Sequence, residues 1–160
     1  MKKRLTKDEK DLLLISALRE NSRQTLSKIS KKTSMPLSTI HDRIMSLKRR
    51  SLVKYTALVD FTLLGFNTRA CMLIKVDKKQ RKELKQFLEN SSNVNWLAKI
   101  NNGHDFMVEL VFENIKNMED YVEKVEQKFE VQNMQTFYIV EDIKKEKFLA
   151  TPMAAKLRIA

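Results

Sequence analysis

The sequence predicts an α+β chain: a small helical module that closes with a wing, followed by a β-α-β-β-α-β unit. Three observations carry this. Apolar residues recur at helical spacing through the first fifty positions, strand-like apolar runs replace that period from about residue 70, and Asn102-Gly103 separates two such runs.

Thr6-Lys7-Asp8-Glu9 reads as a capping box, with Thr6 as N-cap and Glu9 three residues on. The helix behind it carries Leu12, Leu13, Ile15, Ala17 and Leu18 and runs to about Glu20. Asn21-Ser22-Arg23-Gln24 reads as a turn, and Thr25 caps a second, shorter helix with Leu26 and Ile29 inward. Thr33-Ser34-Met35-Pro36 is the next break; Pro36 suits a helix start, where its missing N–H has no intrahelical partner. A third helix spans about Leu37 to Arg50, with Leu37, Ile40, Ile44 and Leu47 as its inward stripe. Three short helices with a tight turn between the last two make a helix-turn-helix. Leu52 to Asp60, rich in Val, Tyr, Thr and Leu, reads as a strand or wing hairpin, and Leu63-Leu64-Gly65-Phe66 closes the module.

Ala70–Val76 then reads as a strand and Lys79–Asn90 as a helix with Leu84, Phe87 and Leu88 inward. Val94–Ile100 and Phe106–Phe112 are strands around Asn102-Gly103, a hairpin signal because both residues accept positive φ. A helix follows over Asn117–Phe129 with Met118, Tyr121, Val122, Val125 and Phe129 on one face, then a last strand over Thr136–Val140. This order is the ferredoxin-like split unit. We therefore divide the chain into a winged helix-turn-helix domain (1–62), a ferredoxin-like domain (63–148) and a C-terminal tail (149–160) expected to be loose or packed on a partner chain. A ferredoxin-like unit leaves one sheet face open. Met72, Ile74, Trp96 or Phe106 on that face would make an apolar patch best buried against a second copy.

Charge is distributed unevenly. Residues 1–60 hold 15 Lys and Arg against 6 Asp and Glu, a balance of +9, whereas residues 61–160 hold 16 against 14, a balance of +2. That asymmetry describes a polyanion-binding module joined to a nearly neutral one. No apolar run approaches the ~18 residues of a membrane span, and the charged stretch after the basic N-terminus argues against a secretion signal. The lone Cys71 cannot form an internal disulfide or a metal site. We expect no metal, no cofactor and a cytoplasmic, nucleoid-associated location. No Ser-His-Asp set or Gly-rich phosphate loop is present, and His41 and His104 fall in different domains, so we expect no enzyme activity.

If Leu37, Ile40, Ile44 and Leu47 face the core, helical geometry turns Ser38, Thr39, His41, Asp42, Met45, Ser46 and Arg49 outward. Ser38, Thr39 and His41 can hydrogen-bond base edges or phosphates, and Asp42 either accepts from a cytosine amine or pairs with a neighbouring cation. Arg43 either reaches DNA or bridges to Asp11 or Glu20. Lys48, Arg49 and Arg50, with Lys54 in the wing, are the expected phosphate contacts, with Lys28, Lys31 and Lys32 adding to the field. Thr25 and Ser46 complete the expected DNA-contacting set.

Several of these motifs together resemble one family over about residues 5–147. Leu5-Thr6-x-x-Glu9-x-Asp11, Asn21-x-Arg23, Ser38-Thr39-Ile40-x-x-Arg43-Ile44-x-x-Leu47, Leu64-Gly65 and Thr136-x-x-x-Val140-x-x-Ile143-Lys144 resemble, in order and spacing, the Lrp/AsnC (feast/famine) transcriptional regulators. The chain departs from the family with Pro36 in place of a capping Ser, Ser51 where a helix-ending Gly is usual, and Asn102-Gly103-His104-Asp105 where Gly-x-aromatic-Asp is common. The resemblance implies a sequence-specific regulator that binds a palindromic site in double-stranded DNA as a homodimer, tetramer or octamer. It also implies a small amino-acid effector near Asn102, Gly103, His104 and Asp105, with Thr136 as a neighbour. From the residues alone, Asn102-Gly103 is equally a plain hairpin turn capped by Asp105. Two alternatives are a global DNA-organising protein with little sequence preference and, because some Lrp-like proteins decarboxylate sirohaem, an enzyme of that type.

Overall fold

The computed structural model describes residues 6–150; the basic start of the chain and most of the expected tail, including Pro152-Met153-Ala154-Ala155, lie outside the described residues. The chain divides into two compact units, one holding the residues up to Ala57 together with those from Ile143, the other Leu58–Asp142.

The first unit is built on α1 (Lys7–Glu20), α2 (Leu26–Thr33) and α3 (Leu37–Arg49). Local hydrogen bonding sets each start. The Thr6 N–H donates to Glu9 Oε2 at 2.6 Å while Thr6 Oγ1 accepts from the Glu9 N–H at 3.3 Å, a complete capping box. Thr25 Oγ1 accepts from the Lys28 N–H at 3.3 Å. Between α1 and α2, Asn21 Oδ1 accepts from the Arg23 N–H at 2.9 Å, which gives the Asn-x-Arg turn its shape. Leu14, Ala17, Leu18, Ile29, Met35, Ile40 and Leu47 form the core, with Ile15, Ile44 and Val53 packed on it. Leu37 does not join that core, contrary to the expected stripe. It is 49% exposed at the first residue of α3, where the preceding turn already supplies the buried Met35. Leu26, likewise expected inward, lies at the surface.

The end of α3 answers the Ser51 departure. The Leu52 N–H donates to the Leu47 carbonyl at 3.1 Å and the Ser51 N–H to the Lys48 carbonyl at 2.9 Å, the paired bonds of a Schellman cap. Ser51 sits at φ 54, the left-handed region that glycine adopts without strain. Residues 52–60 form no strand. The expected wing hairpin fails to form because a strand needs a ladder partner, and this run finds none among the described residues. Val53 packs on the core, while Leu52, Tyr55, Leu58 and Val59 face solvent. A single 3-10 turn, Thr62–Leu64, closed by Gly65 at φ 88, leads into the sheet.

The second unit runs β1 (Thr68–Val76), α4 (Arg81–Glu89), β2 (Val94–Lys99), β3 (Phe106–Phe112), α5 (Ile115–Lys128) and β4 (Val131–Tyr138). The strands lie in the order β2-β3-β1-β4, each pair antiparallel. This is the ferredoxin-like arrangement. Alternation along β1 and β3 turns Ala70, Met72, Ile74, Val76, Phe106, Val108 and Leu110 into a core with Leu84, Leu88, Met118, Tyr121, Val125 and Phe129 from the helices. Met72, Ile74 and Phe106 are therefore under the helices and not on the open face, where Trp96 alone of the four expected residues is found, 48% exposed. β4 begins five residues before the expected Thr136, because its polar first half, Val131-Gln132-Asn133-Met134-Gln135, pairs with β1 despite low strand propensity. Asn102 at φ 63 and Gly103 at φ 97 form the β2–β3 loop as expected.

Replacing Ser51 with Gly should stabilise the N-terminal unit by about 1 kcal/mol, the usual scale of a left-handed penalty for a residue with a Cβ. Thermal unfolding followed by circular dichroism should show the rise; an unchanged or lower midpoint would contradict the strain at this exit.

Candidate nucleic-acid interface

Ile40 and Leu47, seven residues apart on α3, are fully buried and fix which side of that helix faces solvent. The opposite side presents Ser38, His41, Asp42, Met45, Lys48 and Arg49, all exposed, while Thr39 and Ser46 are half-buried at its margins. His41 Nδ1 lies 3.4 Å from Asp42 Oδ1, so Asp42 pairs within the helix surface.

Arg43 takes its structural alternative. Its Nη1 donates to Asp11 Oδ1 at 2.6 Å and to the Lys7 carbonyl at 3.1 Å. Arg50 approaches the other oxygen of Asp11 at 3.6 Å. One carboxylate on α1 thus holds two cations from the middle and the end of α3. Lys48 Nζ stands 4.9 Å from the centre of the Tyr55 ring, a cation–π contact that ties the helix end to residues 52–60. The sequence reading missed this pair, although an aromatic residue inside a basic stretch was its available signal. Lys32 is bound to Glu20 at 2.7 Å. Arg49, Lys28, Lys31 and Lys54 are exposed and make no ion pair among the described residues. Thr25, the cap of α2, is exposed as well.

The remaining expected site residues lie in the second unit. Asn102 and Gly103 are exposed at the loop tip. Asp105 is buried and fully engaged: Oδ2 accepts from the Val76 N–H at 3.2 Å, and Oδ1 lies 2.8 Å from Arg81 Nε. The carboxylate therefore joins the β3 start to the β1 end and to α4, a role for Arg81 that the sequence reading missed. His104 Nε2 is buried without a hydrogen-bond partner. Thr136 pairs with Met72 in the middle of β1, two strand spacings, about 10 Å, across the sheet from β3. One copy of the chain does not bring Thr136 and the 102–105 loop together.

The sheet face away from the helices carries Cys71, Leu73, Met107, Trp96 and Phe137, with Arg69 and the buried Val111 among them. Arg69 is clamped by Asp142 at 2.6 Å and Glu109 at 2.7 Å. These bonds, the one to Asp142 foremost, hold its guanidinium above its usual pKa. Burial, seconded by the charge of Glu109, pushes the Cys71 thiol up.

A basic helix-turn-helix joined to an antiparallel α+β domain with an uncovered face defines a DNA-binding regulator with a separate second domain. Comparison with known proteins gives the family. The Lrp/AsnC ligand binding domain matches residues 69–149, and a winged helix-turn-helix DNA-binding domain matches residues 7–54. The chain belongs to the Lrp/AsnC family and is an HTH-type transcriptional regulator. Among its relatives, the HTH-type transcriptional regulator FL11 of Pyrococcus horikoshii is 27% identical over 123 residues, covering 76% of this chain and 82% of FL11. FL11 of Pyrococcus furiosus is 29% identical over 119 residues, covering 74% and 79%. Among solved structures, LrpC of B. subtilis superposes with a TM-score of 0.76 at 20% identity, over 89% of this chain and 99% of LrpC. The transcriptional regulator NMB0573 of Neisseria meningitidis, solved as an L-Met complex, gives 0.76 at 19% identity, over 89% and 94%. No described helix is long and apolar enough to cross a membrane.

Asp11→Ala should remove the shared anchor of Arg43 and Arg50 and strand a partly buried guanidinium. A loss of about 2 kcal/mol in chemical denaturation of the N-terminal unit is expected; full retention of stability would show that the clamp is dispensable.

Proposed function

We propose that the chain binds an imperfectly palindromic operator in double-stranded DNA as a homodimer or larger homo-oligomer, tuned by a small amino acid. The observation that carries this reading is the polar and cationic side of α3, left open by the burial of Ile40 and Leu47. Ser38, Thr39 and His41 lie in the first turns, which enter the major groove in helix-turn-helix proteins, and would meet base edges there. Arg49, Lys54 and the Lys48–Arg50 end of the helix would meet phosphates, with Thr25 and the N-terminus of α2 adding backbone donors. Ser46 sits at the margin of this surface. Arg43 acts by holding α3 on α1.

One such helix reads too few bases for a unique site. A twofold pair sets two of them about 34 Å apart, which the palindrome would match. The uncovered sheet face, with Trp96 at 48% and Phe137 at 53% exposed, supports self-association. The amino-acid effector is supported by the L-Met complex of the Neisseria relative and by the loop itself. There the positive-φ Asn102-Gly103 backbone would receive a carboxylate and His104 would turn its buried, unpartnered Nε2 toward the ligand, while Asp105 keeps the loop in place and a second copy would have to bring Thr136 close. Such a protein works in the cytoplasm, on the nucleoid.

Operator affinity should fall steeply and linearly in a log–log plot against salt. Arg49→Ala should weaken all sequences alike and flatten that slope by about 0.9, one phosphate contact; a flat wild-type plot would contradict the interface. Trp96→Asp should shift the protein toward monomer in light scattering, and an unchanged mass would place the self-association surface elsewhere. Calorimetry with a panel of amino acids, L-Met included, should give binding heat that His104→Ala reduces; no heat from any of them would leave 102–105 as a structural hairpin.

A further inference from the structure

Leu37, His41, Met45 and Arg49 follow one another at four-residue intervals along α3 and so form one ridge on its surface. The ridge alternates apolar and polar. Leu37 is 49% and Met45 43% exposed, in a helix whose other aliphatic residues, Ile40, Ile44 and Leu47, belong to or pack on the core. Neither side chain offers a hydrogen-bond donor or more than a weak acceptor, so neither serves phosphates or the polar base edges. Within the major groove the apolar feature is the thymine C5-methyl group.

We propose that Leu37 and Met45 are specificity-determining residues that read thymine methyls in the operator half-site. The proposal rests on α3 being the base-reading helix, and it names what part of that reading is apolar. The occupant of this ridge is a DNA duplex and not another apolar surface, because the ridge ends in the exposed cation Arg49, which has no ion pair among the described residues, and is flanked by Lys48 and Arg50. Asp42, the acidic residue on this side, lies 3.4 Å from His41 Nδ1. A rise of 1.5 Å per residue sets Leu37 and Met45 about 12 Å apart along the helix. They therefore meet different bases. Leu37 stands on the entry turn and Met45, unbranched and adaptable, two turns deeper.

The test uses the full chain and a duplex that it enriches from a randomised pool. Each thymine of that duplex is replaced singly by deoxyuridine, which removes the methyl and keeps every hydrogen-bonding group. Affinity measured at constant salt should fall about fourfold at two thymines of a half-site, the value of one buried methyl-sized group. Leu37→Ala should abolish the effect at one of them and Met45→Ala at the other. Arg49→Ala should weaken binding while leaving both effects intact. Both apolar positions are exposed, so the variants keep the core, and circular dichroism checks this. Equal affinity for every uracil duplex, or undiminished methyl sensitivity in both variants, overturns the proposal while leaving α3 as the DNA-reading helix. Failure of the chain to enrich any sequence would instead overturn the operator reading and this proposal with it.

Discussion

The seven-residue spacing of Ile40 and Leu47 is the constraint on which the exposed side of α3 depends. Two fully buried aliphatic side chains almost two turns apart leave α3 one rotational setting against α1 and α2. Every exposed group on that helix inherits its direction from those two. The ion pairs of Asp11 with Arg43 and Arg50 act in the same sense from the flank, since they bring cations of α3 onto α1 and make a rotation of the helix break charge-assisted bonds. The hydrophobic pair sets the angle, and the carboxylate discourages departures from it.

The second unit applies the equivalent rule to a sheet. Strand alternation sends one set of β1 and β3 side chains under the two helices and the other set to the uncovered face. The same rule explains how Arg69 comes to lie among Cys71, Leu73 and Phe137: it occupies the odd register of β1, where Glu109 of β3 and Asp142 beyond β4 balance its charge. A guanidinium so paired is compatible with an otherwise apolar surface.

Much of this was legible in the sequence because the signals were local. The capping box at Thr6 and Glu9, the cap at Thr25 and the positive φ of Asn102 and Gly103 each depend on a few adjacent residues. The missed features depend on what lies elsewhere. Leu37 fits the apolar period of α3, but whether it is buried depends on Met35 having filled the core first. Residues 52–60 have strand propensity and no partner strand, whereas Val131–Gln135 lacks propensity and has β1 beside it. The two faces of β1 differ in the sequence, since Arg69 and Lys75 share the odd register while Ala70, Met72, Ile74 and Val76 share the even one, and the assignment of Met72 and Ile74 to the open side passed over that signal. Among the site residues, the exposed polar groups of α3 followed from periodicity, while the engagement of Asp105 by Val76 and Arg81 required the folded chain.

The environment of Cys71 has a chemical consequence. Thiol chemistry proceeds through the thiolate, and both burial and the neighbouring carboxylate of Glu109 disfavour that form. Cys71 therefore keeps a smaller share of thiolate than an exposed cysteine would, and its sulfur serves the sheet face as a weakly polar side chain more than as a nucleophile.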